Sequence, residues 1–113
     1  MSNWIDIGAE ADFSADEKVC TTAGGRPVVV CRVEGQWCAF ANCCPHAGLP
    51  IGEGDLRGRV ITCPFHGYAY NVRNGRNIDW PQEELPLRMY PVRVEDGRVW
   101  IDMADKTSQG QNS

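Results

Sequence analysis

Only two histidines occur in the chain, and each follows a cysteine at short range: Cys44-Pro45-His46 and Cys63-Pro64-Phe65-His66. Sixteen residues separate His46 from Cys63, so the pattern reads C-x-H-x16-C-x2-H. Thiolate and imidazole are soft and borderline metal ligands. Four such donors can hold one tetrahedral zinc ion, although zinc sites usually space paired ligands by two or more residues. A one-residue spacer in an extended loop points side chains i and i+2 to the same side. That suits a binuclear centre, in which Cys44 and His46 reach adjacent metal ions. Cys43 competes for the same metal, but the spacing to His46 and the following proline favour Cys44.

The elements that must carry these loops read as short strands. Candidates are Trp4–Ile7, Lys18–Thr22, Pro27–Val33, Trp37–Ala41, Arg59–Thr62, Tyr68–Val72, Leu87–Val94 and Val99–Asp102. Gly24-Gly25, Glu34-Gly35-Gln36, Asn74-Gly75 and Asp96-Gly97 supply hairpin turns, because glycine, asparagine and aspartate tolerate positive φ. No stretch keeps a helical period; Ala9–Glu17 is expected to form one short turn or helix. Many short strands at close spacing predict an all-β fold, a small antiparallel sandwich or barrel. The two ligand loops form a metal-binding subdomain at one end. The expected domain runs over residues 1–103, and the polar tail 104–113, without apolar anchors, is expected to be disordered.

Composition narrows the function. At 113 residues and 42% hydrophobic, the chain suits one globular domain. A net charge of −4 argues against nucleic acid as a partner. The same acidity could steer the protein to a basic docking site, or serve only to keep it in solution. No apolar run approaches the roughly 18 residues that span a bilayer, and "MSNWIDIGAEADF" has no signal-peptide pattern. No membrane association and a cytoplasmic location are therefore expected. In that compartment six cysteines are not a disulfide scaffold. Cys20, Cys31 and Cys38 are expected as buried thiols in strands, acting as small hydrophobes.

The boxes "CPHAGLPIG" (44–52) and "CPFHGYAYNVRNGR" (63–76), with "LPLRMYPVRVEDGRVWID" (85–102), resemble the Rieske iron–sulfur family over roughly residues 4–102. The resemblance implies a Rieske-type β-fold and one [2Fe–2S] cluster. It assigns the thiolates of Cys44 and Cys63 to one iron and the imidazoles of His46 and His66 to the other. Electrons are expected to leave through the two histidines. Gly48 and Gly67 are expected to allow tight turns that bring backbone N–H groups to the sulfides, and Pro45 and Pro64 to stiffen the loops. "DWPQEELP" (79–86) resembles the family's covering proline loop, with Trp80 as part of the cover or a docking residue.

Two ferric ions, two sulfides and two thiolates sum to zero charge, whereas an all-cysteine cluster starts more negative. Rieske potentials accordingly run from about −150 to +300 mV, against about −400 mV for plant-type ferredoxins. The disulfide-forming cysteines of the respiratory branch are Leu49 and Phe65 here, and its sulfide-bonding serine is Tyr68. These changes imply a low potential; Tyr70, where the high-potential branch has a sulfur-bonding tyrosine, moves the expectation towards intermediate.

The resemblance implies a monomeric one-electron carrier that takes electrons from a flavin-containing reductase and passes them to a terminal oxygenase, as the ferredoxin components of ring-hydroxylating dioxygenases do. Two alternatives are the small redox subunit of an assimilatory nitrite reductase-like complex and a zinc-binding structural module. An oxygenase is excluded, because its mononuclear iron needs two further histidines.

Overall fold

The computed structural model describes residues 2–15, 17–45, 48–65 and 67–104. His46, His66 and residues 105–113 lie outside the described residues, so the expectations for both histidine ligands and for most of the tail fall there.

Ten strands form three antiparallel sheets. The first sheet orders β1 (Trp4–Ala9), β10 (Arg98–Asp102) and β9 (Val92–Glu95) as β1-β10-β9. The second orders β2 (Lys18–Ala23), β3 (Arg26–Val33), β4 (Gln36–Ala41) and β8 (Met89–Tyr90) as β2-β3-β4-β8. The third joins β5 (Asp55–Arg57), β6 (Val60–Thr62) and β7 (Ala69–Asn71) in sequence order. Because β4 pairs with β8 through Ala39↔Tyr90 and Phe40↔Met89, everything between them is an insertion, and that insertion carries both ligand loops.

The second sheet is buried on both faces, which explains the unbroken apolar run Val28–Cys31. Val28, Val30 and Ala39 face the first sheet, packing with Phe13, Val99 and Ile101. Val29, Cys31, Val33, Cys38 and Phe40 face the insertion, packing with Ile51, Ile61, Val72, Cys44 and Cys63. Alternation along one strand thus feeds two cores. The ligand cysteines sit inside the second of them.

The turns form as their residues predict. Gly24 and Gly25, Glu34 and Gly35, and Asp96 and Gly97 all take positive φ, from 54° to 82°. Glu34 also accepts Arg59 Nε and Arg73 Nη2, both at 2.9 Å, tying the β3–β4 tip to the insertion. Asn74-Gly75 differs. It closes a loop back onto Asn71 (Gly75 N–H to Asn71 O, 2.6 Å), and only the isolated bridge Tyr70↔Asn77 follows.

Two other expectations are corrected. The run Leu87–Val94 is two strands: Pro91 cannot donate to a ladder, and there the chain passes from the second sheet to the first. The short turn or helix expected within Ala9–Glu17 does form, as a single 3₁₀ turn at Glu10–Asp12. Cys20 lies in β2 as expected but is exposed, because β2 is an edge strand; its Sγ approaches Gly52 O at 3.8 Å. Among the described residues no helix is long and apolar enough to cross a membrane.

Candidate metal centre

Two loops of matching backbone design present Cys44 and Cys63. In the first, the Cys44 N–H donates to Leu49 O (2.8 Å) and the Gly48 N–H donates to Cys44 O (2.7 Å). In the second, the Cys63 N–H donates to Tyr68 O (2.7 Å) and the Gly67 N–H donates to Cys63 O (2.9 Å). Each cysteine thus bonds the residues four and five positions on. The fourth is a glycine at φ 72° or 73°, a conformation most L-residues avoid. The glycines therefore make the tight turns expected of them.

The first loop leaves β4 after Ala41. It is anchored by Asn42, whose Oδ1 accepts the Gly52 N–H at 2.7 Å. The second loop is the β6–β7 connection, held by the pairs Thr62↔Ala69 and Ile61↔Tyr70. Cys44 and Cys63 are both fully buried, and neither is in a disulfide. Of the two adjacent cysteines, Cys44 lies in the same buried core as Cys63, whereas Cys43 is exposed.

Tyr70 is fully buried in β7, with its hydroxyl 3.9 Å from Cys44 Sγ. Burial first, and the Cys44 sulfur next, push its ionisation above that of an ordinary tyrosine, so it stays a neutral O–H near pH 7. Asn77, buried beside it, accepts the Asp79 and Trp80 amides through Oδ1 at 2.9 and 2.8 Å. Its buried Nδ2 has no hydrogen-bond partner among the described residues. Sequence reasoning did not single out Asn77; its place two residues past the Asn74-Gly75 turn was the available signal.

Leu49 and Phe65, the non-cysteine positions in the loops, are 40% and 42% exposed. Trp80 is 48% exposed and rests on Tyr68, with ring centroids 5.9 Å apart. An apolar rim therefore surrounds two buried thiols. Two such thiols, a neutral hydroxyl donor against one of them and glycine turns at both loops fit an iron–sulfur cluster. Fold and site define a small β-protein that holds a redox centre between two loops.

The family model for the Rieske [2Fe–2S] domain matches residues 3–91. The chain is 30% identical to the anthranilate 1,2-dioxygenase ferredoxin subunit of Burkholderia cepacia, covering 91% of this chain and 94% of that one. Its structure is similar to the ferredoxin of Sphingomonas yanoikuyae B1, with TM-score 0.77 and 29% identity over 90% of this chain and all of that one. It is also similar to a chain in the complex of reduced oxygenase and oxidized ferredoxin of carbazole 1,9a-dioxygenase, with TM-score 0.77, 34% identity, and coverage of 88% and 92%. The chain belongs to the Rieske [2Fe–2S] family. Its cofactor is one Rieske-type [2Fe–2S] cluster, which takes up and releases a single electron, and its part is that of an electron carrier rather than an enzyme. The zinc alternative gives way to the cluster.

Replacing Tyr70 by phenylalanine removes the hydroxyl beside Cys44 and should lower the midpoint potential. A hydrogen bond to sulfur favours the more negative, reduced form, and a net value of about 1 kcal/mol corresponds to roughly 40 mV for one electron. Spectroelectrochemical titration of both proteins measures it; equal midpoints would show that the contact carries no weight.

Proposed function

We propose that this protein shuttles single electrons from a flavin-containing reductase to a terminal oxygenase, as a monomer in the cytoplasm. In this reading Cys44 and Cys63 hold one iron and His46 and His66 the other. The observation that carries it is the placement of two buried thiolate loops beneath an exposed apolar rim of Leu49, Phe65 and Trp80. Burial keeps water from the thiolates, while the rim offers a surface that can be covered and released. Exposed apolar patches ringed by polar residues suit transient protein contacts. The solved complex of an oxygenase with a similar ferredoxin supports this choice of partner.

The residues of the chain have separate tasks. Gly48 and Gly67 set the loop turns, and Tyr70 keeps a neutral donor at Cys44 Sγ. Trp80 shields Tyr68 and the second loop from solvent. With the Tyr70 hydroxyl at Cys44 Sγ and no serine at position 68, the expected potential lies low to intermediate for the family.

The test is anaerobic electron transfer. The reduced protein is mixed with the oxidised terminal oxygenase of a ring-hydroxylating dioxygenase, and the re-oxidation of the carrier is followed by its visible spectrum. The expected result is one electron delivered per chain, with the carrier re-reducible by an NADH-dependent flavin reductase. Transfer to a sirohaem nitrite reductase and none to the oxygenase would contradict the proposal.

A further inference from the structure

Two thiols outside the metal centre face each other across the middle sheet. Cys31 of β3 and Cys38 of β4 are direct partners in the antiparallel register, and both point into the core that holds Cys44 and Cys63. Directly opposed residues of an antiparallel pair have Cα atoms about 4.5–5.5 Å apart, inside the ~4.4–6.8 Å range that a disulfide spans. The two thiols are free and not joined.

They are not equivalent. Cys38 lines an open cavity of about 320 Å³, shared with Trp37, Arg73, Met89 and Val92. Cys31 does not line it and is buried beneath. Arg73 donates through Nη2 to Glu34 at 2.9 Å, while its buried Nε has no hydrogen-bond partner. A guanidinium with a spare donor thus shares the cavity with the Cys38 thiol, which is buried but lines the cavity wall. The pairing with Cys31, and then the charge of Arg73, lower the ionisation of Cys38 against the effect of burial. The same pairing, with burial, raises that of Cys31.

We propose that Cys38 and Cys31 are a peroxide-reactive dithiol that closes into a disulfide across the β3–β4 hairpin, with Cys38 as nucleophile and Cys31 as resolving thiol. The oxidant is a small hydroperoxide entering the cavity. The Cys38 thiolate attacks the terminal peroxide oxygen; the O–O bond breaks, a proton completes the departing water, and Cys38 becomes a sulfenic acid. The Cys31 sulfur then attacks the Cys38 sulfur, and the hydroxyl leaves as a second water with the Cys31 proton. Two thiols and one hydrogen peroxide give one disulfide and two waters, a two-electron oxidation separate from the one-electron chemistry of the cluster. The strand that carries Cys38 runs directly into the first cluster loop.

The test uses the cluster-loaded protein, exposed to hydrogen peroxide in small molar excess, quenched in acid, alkylated while denatured and digested without reductant. A peptide linked through Cys31 and Cys38 should appear by mass spectrometry, disappear on treatment with dithiothreitol, and form while the visible spectrum of the cluster is retained. The C31A variant should stop at a Cys38 sulfenic acid that dimedone traps, and C38A should leave Cys31 as a thiol. R73Q should slow the oxidation by roughly threefold to tenfold, as loss of a neighbouring cation reduces the thiolate fraction. Bleaching of the cluster before any Cys31–Cys38 link forms, or links that join Cys20, Cys43, Cys44 or Cys63 instead, would overturn the proposal. The mapping on unmodified protein decides this even if a variant fails to fold.

Discussion

Replacement of Cys44 or Cys63 by alanine is expected to give a β-protein that retains its outer sheets and holds almost no iron. Each cysteine is a fully buried thiol at the head of its loop, and the thiolate is the form that binds metal. In the proposed arrangement, removing one leaves its iron with a single thiolate. The binding free energy of a metal centre is also folding free energy for the segment that surrounds it. Loss of the cluster should therefore loosen the insertion between β4 and β8. The first sheet draws its core from Phe13, Val28, Val30, Val99 and Ile101, none of which touches the loops' chemistry. Far-ultraviolet circular dichroism should thus stay β-like while the visible spectrum vanishes. Cys43→Ala and Cys20→Ala, at exposed thiols, should keep full iron content. A Cys43→Ala protein without iron, beside a Cys44→Ala protein with it, would reverse the ligand assignment.

Gly54→Ala should be nearly as damaging, for a purely steric reason. Gly54 has φ −83° and ψ −178°, ordinary extended backbone. A Cβ there would lie 1.7 Å from the carbonyl oxygen of Thr62 and 3.1 Å from Pro64 Cδ. Neither obstacle is a flexible side-chain end: Thr62 is fixed by its pairing with Asp55 and Ala69, and Pro64 follows Cys63. Relief requires β5 and β6 to separate, which moves the second loop. Overpacking of a well-packed site costs about 1–3 kcal/mol and occasionally more, and this contact belongs at the upper end or beyond. About 3 kcal/mol lowers the melting temperature of a domain this size by roughly 10–20 °C. Gly58→Ala is the comparison, since its Cβ would meet nothing within 4 Å and only φ +57° opposes it; a cost of about 1 kcal/mol is expected. Thermal melts of the two proteins, with iron content, measure the difference. Equal melting temperatures would contradict the close approach of β5 to Thr62.

Most of the framework was legible because its turns use residues suited to positive φ and its strands are β-branched. Pro27–Val33 and Trp37–Ala41 flank Glu34-Gly35, and they pair about that turn with Val33 opposite Gln36. The same arithmetic places Cys31 opposite Cys38, a signal present in the sequence that the hydrophobic reading of those thiols passed over. Asp55–Arg57 was missed because "DLR" has no strand preference of its own and extends only by pairing with β6. The sheet change at Pro91 was hidden within a continuous apolar run. The neighbours of Cys20 look like a core strand, yet it is exposed; edge position is a tertiary fact that local pattern does not carry. At the centre itself, the turn glycines four residues past Cys44 and Cys63 could be read directly. The Tyr70–Asn77 pair behind Cys44 needed the loop that folds 77 back against β7.

The central claim is that these paired boxes hold a binuclear iron–sulfur cluster that moves one electron. Metal and acid-labile sulfide analysis of the purified protein, joined to an anaerobic reductive titration, tests it most directly. Two irons, two sulfides and one electron accepted per chain are expected. One zinc with no sulfide and no electron uptake would contradict it.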